Sequence, residues 1–557
     1  IGSDLKIRNV PSYNISILSN IMVHQSKDIC EYFLRKNIIN ANVNLGNYDN
    51  LVQDTQNIND SNAVIIFFEL CNIIDGLQFK ADLLSDKELL KLQEKVEIEI
   101  KLIFENLKHI PIVIFNMFSS LIFDQNDLKT SKYTNLKNLL NKSLENFSIK
   151  YPNIILIDID KILSICGISN SVDFRYYYSS KTIYKIDFYT TYFSFIQPFI
   201  ISSNGMAKKA LIFDCDNTLW RGILGEDGFD NIKIFKEIQL QAKKLARQGV
   251  LLGLCSKNNI KDVEDVFERH EDMILKEKDL VIKKVNWEDK VSNLIAISKE
   301  LNIGLDSIVF IDDSDFEINL VTEKLPMVKA YKVPKKIHEY PMLMSNISNL
   351  FYTPSQTRED LEKIEMYKSQ VLRIKEKEKI NNIDDYLKSL DIKIKVSIDN
   401  KKNIPRVSQL TQKTNQFNLT TKRYSENEIS EFIKSQKYKV IAINVSDKFG
   451  DSGLVGLVIL EINANYASID TFLMSCRVIG RNIEYKVMDI ITKIIKKENV
   501  KEIHSEYIKT NKNNIVSNLY SKFGMESLNE DEENKRYKIH IDDYKFFNLG
   551  YINLLNS

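Results

Sequence analysis

Short apolar runs alternate with amphipathic stretches over much of this chain. Runs at 15–18, 63–68, 111–115 and 154–157 have the length and content of buried strands. Between two of them, 85–107 has helical periodicity, and Ser85 with Glu88 three residues on offers a capping box. This alternation predicts an α/β domain with a largely parallel sheet over 1–200. The polar stretch 201–206 predicts a linker. A second series follows, with strands at 209–213, 250–254, 280–283, 308–311 and near 327–331. Helices are predicted at 235–247, 260–268 and 288–301. That spacing predicts an open, doubly wound sheet over 207–345, with its chemistry beyond the carboxyl ends of the strands. The charged segment 350–385 predicts a helical bridge, within a linker spanning 346–402. Strands at 438–445, 452–462 and 467–473, followed by a helix at 482–497, predict an α+β domain over 403–557.

Composition narrows the possibilities. A chain of 557 residues exceeds one hydrophobic core, and a hydrophobic fraction of 44% suffices for about three. Its 76 basic and 75 acidic side chains give a net charge of +1, which points away from a nucleic-acid surface. The six cysteines are scattered without a CxxC pair, so neither a disulfide scaffold nor a structural zinc site is expected. No secretory leader and no uncharged apolar run of about 18 residues is evident. The expectation is a reducing, cytoplasmic setting with no membrane partner.

The chemistry concentrates where the strand at 209–213 ends. Asp214-Cys215-Asp216-Asn217-Thr218 places two carboxylates at i and i+2. Asp214 can offer one oxygen to a cation and the other for attack, Asp216 suits a general acid or base, and Thr218 can donate a hydroxyl. Cys215 is either a thiol able to carry an acyl group or a buried filler. Ser256 follows the second strand of the series, Lys290 opens a helix, and Asp312-Asp313 follows a further strand. A phosphate ligand, a neutralising cation and an acidic pair suited to Mg²⁺ are thus distributed over successive strand ends. Asn217, Lys257, Asn258 and Asp313 are the supporting polar neighbours. In the first domain Ser19-Asn20 ends a strand, where a nucleophile could sit, but the rest of a hydrolase site is missing. An SGNH-hydrolase-like, non-catalytic scaffold is expected there.

These residues resemble the haloacid-dehalogenase superfamily. The resemblance implies Asp214 as nucleophile and Mg²⁺ ligand, and Asp216 as acid/base with its carbonyl on the metal. It implies Ser256 and Lys290 as phosphate ligands and Asp312 as a further metal ligand. No long insertion separates Thr218 from Ser256, so a Rossmann-like core without a large cap is implied. The run Asp214 to Gly222, Asn286-Trp287 through Lys290, and Val309 to Asp313 are similar to the FkbH-like family. So are Gln409-Leu410, Lys413 to Thr420, Asp447 to Asp451 and Ser475 to Arg481. That family implies glyceryl transfer from an acyl phosphate, 1,3-bisphosphoglycerate, through a thioester on Cys215. The acceptor would be the phosphopantetheine thiol of an acyl carrier protein. The alternatives are a Mg²⁺-dependent phosphatase of a small metabolite, or a bifunctional enzyme that also acylates an amine. One departure stands out. Where the family follows its Asp pair with Asn-Pro and then Glu-Arg, this chain has Ser314-Asp315-Phe316-Glu317-Ile318-Asn319, so a positive charge is lost.

The C-terminal region resembles a GNAT acyltransferase fold. Gly480 and Arg481 precede a helix whose backbone donors could cradle a phosphate, though an ordinary glycine turn reads equally well. Lys413, Asn415, Gln416 and Asn418 are too polar for a plain core strand and suggest a loop closing over an acyl or pantetheine group. Cys476 reads as a wall or core thiol beside Arg477. Asn511 and Tyr520 fall where such domains finish their cofactor cleft.

Overall fold

The computed structural model describes residues 12–58, 60–121, 123, 131–352, 358–380, 382–529, 531 and 533–555. The chain divides into two units, 1–204 and 205–557. Among the described residues, no helix is long and apolar enough to cross a membrane.

The first unit is built on five parallel strands in the order β2-β1-β3-β4-β5. They are β1 (Ser12–Ser19), β2 (Asn40–Leu45), β3 (Ala63–Phe67), β4 (Ile112–Asn116) and β5 (Ile154–Ile157). Helix Asp86–Asn106 starts at the capping box expected of Ser85 and Glu88. Helix Ile186–Ser203 runs through most of the stretch read as a linker, so the break narrows to Asn204 and Gly205. Ser19 is buried, and its Oγ accepts from the Ile21 amide at 3.0 Å. The Asn20 side chain accepts from Glu69 N at 2.7 Å and donates to Glu69 O at 2.9 Å. These bonds commit the polar end of β1 to holding the loop after β3.

Glu69 is 2% exposed, and burial pushes its carboxyl up to about 7. A folded-state pKa above the unfolded one favours the protonated form. Its stability contribution is full below the ordinary glutamate range and is lost as pH rises through about 7. The first unit is therefore expected to lose thermal stability between about pH 5 and 8, and Glu69→Gln to flatten that slope in pH-resolved melting curves.

The second unit contains two larger sheets. The first is fully parallel: β6 (Ala210–Phe213), β9 (Leu251–Ser256), β10 (Leu280–Val285), β11 (Ile308–Asp312) and β12 (Lys329–Lys332), ordered β10-β9-β6-β11-β12. A small ribbon of β7 (Trp220–Arg221) and β8 (Lys233–Ile234) is the added β structure between β6 and β9. Side chains alternate along β6. Leu211 and Phe213 enter one apolar cluster, and Ala210 and Ile212 enter the cluster on the other face.

The second large sheet is mixed. It comprises β13 (Ile392–Ile398), β14 (Tyr438–Asp447), β15 (Gly450–Ile462), β16 (Tyr466–Met474), β17 (Glu502–Ile508), β18 (Glu526–Ser527), β19 (Asn534–His540) and β20 (Ile552–Leu555). The order is β18-β19-β17-β16-β15-β14-β13-β20. Strands β13 to β16 pair antiparallel in sequence, whereas β16 and β17 are parallel and joined through helix Ile483–Lys497. The sheet thus begins at Ile392, inside the stretch 346–402 read as a linker; strict alternation in β13 was masked by the charged sequence before it. The bridge itself is helix Arg358–Lys379, and 353–357 and 381 within the predicted helical stretch lie outside the described residues. Its Tyr367 belongs to an apolar cluster of the parallel sheet, and its Arg373 pairs with Asp447 at the end of β14.

Candidate active site

The parallel register of β6 and β11 brings their carboxyl ends side by side. Ile311 lies opposite Phe213, and the Asp214 amide donates to Ile311 O at 2.9 Å. Asp214, Asp312 and Asp313 consequently offer carboxylate oxygens that all lie within 4.8 Å of one another. Lys290, the first residue of helix Lys290–Leu301, reaches into this cluster. Its Nζ donates to Asp214 Oδ1 at 2.8 Å and also to Asp312 Oδ2. All three partners are buried. The second oxygen of Asp312 accepts from the Ser314 amide at 2.8 Å, and Ser314 in turn caps helix Asp315–Lys324.

Burial works against charge throughout this site. It raises the Asp214 carboxyl, with Asp312 adding to the rise and Lys290 opposing it. Asp313 is raised by burial and by Asp312. Burial also opposes charge on Lys290, but Asp214 and Asp312 outweigh it and hold the ammonium above the usual lysine range. Three carboxylates facing one ammonium leave an excess of negative charge, and hard oxygen donors this close together suit a divalent cation such as Mg²⁺. The residues present therefore fit the metal that the sequence implies.

Around this centre the other expected residues take distinct places. Ser256 is buried at the end of β9, beside Asp214. Asp216 Oδ1 accepts from Trp220 Nε1 at 2.9 Å and from the Leu224 amide at 3.1 Å, while its Oδ2 accepts from Asn258 Nδ2 at 2.8 Å. Asn217 adopts φ 53°, and its Oδ1 accepts from the Gly222 amide at 3.0 Å, which shapes the turn after Asp216. Thr218 is fully buried and its hydroxyl has no partner, so it is withdrawn from a substrate phosphate in this conformation. Lys257 pairs with Glu317 at 2.6 Å, while the other Glu317 oxygen is buried without a partner. Tyr340, whose hydroxyl donates to Thr218 O at 3.2 Å, was not foreseen; it is distant in sequence and no local motif marks it.

Cys215 departs from the expected accessible nucleophile. It is 0% exposed and packs in the same apolar cluster as Leu211, Phe213, Leu219 and Trp220. Burial pushes its thiol far up, and Asp214 adds to the rise. Alternation along β6 explains this placement: Cys215 continues the register of Leu211 and Phe213.

The expected C-terminal residues separate into two groups. Lys413, Asn415, Gln416, Cys476, Arg477 and Asn511 line a cavity of about 510 Å³. The remaining ones are structural in this conformation. Asn418 is fully buried, donating to Thr414 O at 3.1 Å and accepting from the Thr421 amide at 2.9 Å. Tyr520 is 1% exposed. Gly480 provides a turn at φ 81° before helix Ile483–Lys497.

Arg481 turns inward rather than toward a phosphate. Asp447 accepts Arg373 through both oxygens, at 2.7 and 2.8 Å, and Arg481 Nη1 at 2.9 Å. Burial, with Arg373 beside it, pulls the Arg481 guanidinium down to about 10. Asp447→Asn would leave two buried guanidinium groups facing one neutral amide, and is expected to destabilise the second unit by about 3–5 kcal/mol in denaturation measurements.

No family model matches the chain, and no curated protein matches it. Among solved structures, the N-terminal part of the protein BF1531 from Bacteroides fragilis, containing a phosphatase domain and complexed with Mg, is 27% identical. That likeness covers 64% of this chain and 99% of the other, with a TM-score of 0.55. The ribosomal-protein-S18-alanine N-acetyltransferase from Escherichia coli is 12% identical, covering 28% of this chain and 98% of its own at a TM-score of 0.22. Mutant forms of the spermidine/spermine N-acetyltransferase SpeG from Vibrio cholerae are 16% identical, covering 27% and 95% at a TM-score of 0.22. The first of these likenesses, taken with the strand-end carboxylates, identifies the chain as an enzyme carrying a haloacid-dehalogenase-like domain of phosphatase type.

Proposed function

We propose that the parallel-sheet domain is a Mg²⁺-dependent phosphatase of a small phosphorylated metabolite. The observation that carries this reading is the buried cluster of Asp214, Asp312 and Asp313 around Lys290. Asp214 and Asp312, with Asp313 in support, would hold the cation, which when bound neutralises phosphoryl charge. Asp214 attacks phosphorus through its carboxylate oxygen, and the bond to the leaving oxygen breaks. Asp216 supplies the proton that the leaving oxygen needs, then takes one from the water that hydrolyses the aspartyl phosphate. The three donors around Asp216 fix the direction of its carboxylate. Lys290 and Ser256 hold phosphoryl oxygens.

Acyl loading, the chemistry implied by the FkbH-like resemblance, fits this geometry less well. A thioester on Cys215 requires an ionisable thiol open to an acyl phosphate and then to a carrier-protein thiol, whereas this thiol is fully buried and held protonated. The parallel β16–helix–β17 crossover with its glycine turn supports a GNAT-like reading of the C-terminal domain. The five-stranded parallel sheet of the first unit, with Ser19 bonded to its own backbone, supports a non-catalytic, SGNH-like scaffold.

The test is phosphate release from a panel of phosphorylated metabolites and from 1,3-bisphosphoglycerate, with and without Mg²⁺, alongside intact mass. Cys215→Ala is expected to keep its turnover within about threefold of the parent and to form no acyl adduct. A glyceryl adduct that requires Cys215 and passes to a phosphopantetheinyl carrier protein would overturn the phosphatase reading in favour of loading.

A further inference from the structure

The cavity of about 510 Å³ lies inside the second unit, where residues of the parallel-sheet domain face residues of the mixed-sheet domain. One wall is the amino end of the parallel sheet. Lys208 and Lys209 lead into β6 there, and Asp306 and Ser307 lead into β11. The opposite wall brings Arg406 and Lys413 from helix Ile404–Lys413, Arg477 from the end of β16, and Lys512 from beyond β17. Its lining therefore gathers six cationic side chains against a single carboxylate, that of Asp306. Asp306 is already engaged: Lys512 pairs with its side chain, and Lys208 donates to its backbone carbonyl. One carboxylate cannot balance the rest, in a chain whose overall charge is only +1. Like charges gathered in a partly enclosed, low-dielectric space repel one another unless an anion joins them. Burial already acts on Lys208, pulling its ammonium down to about 8. The volume falls in the range that holds a small molecule. Arginine forks and lysine ammonium groups are the donors that phosphoryl oxygens select.

We propose that this cavity is a binding site for a small phosphorylated ligand carrying at least two negative charges, clasped between the two domains. It is separate from the carboxylate cluster. Asp214 and Asp312 sit at the carboxyl ends of the same β6 and β11 whose amino ends wall the cavity, so the two sites lie on the order of 13 Å apart along the strands. The two also differ in sign: one is acidic and suits a cation, the other basic and suits an anion.

The experiment is calorimetric titration of the full chain with inorganic pyrophosphate in EDTA and low salt. Metal removal leaves the carboxylate cluster repulsive to anions. Saturable binding near one equivalent is expected, unchanged in Asp214→Asn and weakened roughly tenfold or more in a Lys209→Glu, Lys413→Glu double variant. Hydrogen exchange on the parent chain supplies a measurement independent of whether that variant folds. Pyrophosphate is expected to slow exchange at 205–209 and 411–417. Absence of binding, binding lost in Asp214→Asn but kept in the charge-reversed variant, or protection confined to 214–218 and 312–314 would each overturn the proposal. The phosphatase reading would stand under the first of these results, because it depends on turnover with Mg²⁺ and not on this titration.

Discussion

Asp214→Asn is expected to lower the turnover of Mg²⁺-dependent phosphate release by about a thousandfold or more, while leaving the chain folded. The substitution is nearly isosteric, and the remaining amide oxygen can still accept from Lys290. The loss therefore falls on the step that needs a carboxylate: attack on phosphorus to form an aspartyl phosphate. Three powers of ten correspond to about 4 kcal/mol of transition-state stabilisation, within reach of a single nucleophile. Removing one of three clustered carboxylates also relieves repulsion, so the melting temperature in EDTA is expected to hold or rise. Single-turnover kinetics on both proteins, with trapping of an acid-stable phosphoprotein, checks this directly. Turnover within tenfold of the parent would remove Asp214 from the role of nucleophile.

Lys290→Met is expected to damage stability as well as rate. Lys290 is the ammonium that both buried carboxylates contact, and methionine keeps its bulk without its charge. Losing one partner of a buried ionic cluster costs about 3–5 kcal/mol, because the charges left behind stay desolvated. Mg²⁺ can stand in for the missing charge, and a ligand at a hundred times its Kd stabilises by about 2.7 kcal/mol. The variant should therefore melt well below the parent in EDTA and recover much of the difference in Mg²⁺. The pH dependence has a definite sign. Burial raises the Asp214 carboxyl, so the metal-free variant is most stable where that group is protonated, and weakens as pH rises through the folded-state value. Equal melting temperatures without a Mg²⁺ response would show that Lys290 does not neutralise the cluster.

Much of this architecture could be read from apolar runs and their spacing. The strands of both parallel sheets fell close to their observed positions because each is buried on both faces, which leaves continuous apolar sequence. Strand β2 escaped notice. Its Asn40-Ala41-Asn42-Val43-Asn44-Leu45 alternates apolar side chains with asparagines, which are poor strand formers, and β2 lies at the sheet edge. The meeting of Asp214, Lys290 and Asp312 was legible because strand ends in a doubly wound sheet converge. The side chain of Cys215 was misjudged because a motif was weighed without its register: counting in twos from Leu211 leads into the core. Arg481 shows a different limit. Its glycine-turn neighbourhood suggested a phosphate, but its partner Asp447 lies on another strand, and only tertiary packing reveals that pairing.

Helix Arg358–Lys379 changes how this unit can be divided. Tyr367 completes the packing of one sheet, and Arg373 completes the charge network of the other. A segment that reads as a spacer is thus a component shared by two cores. A gene fragment ending before 358 would encode a parallel sheet lacking Tyr367, and one starting after 379 would encode a mixed sheet in which Asp447 had lost its bidentate partner. The two halves of this unit are bound to be inherited, synthesised and degraded as one piece.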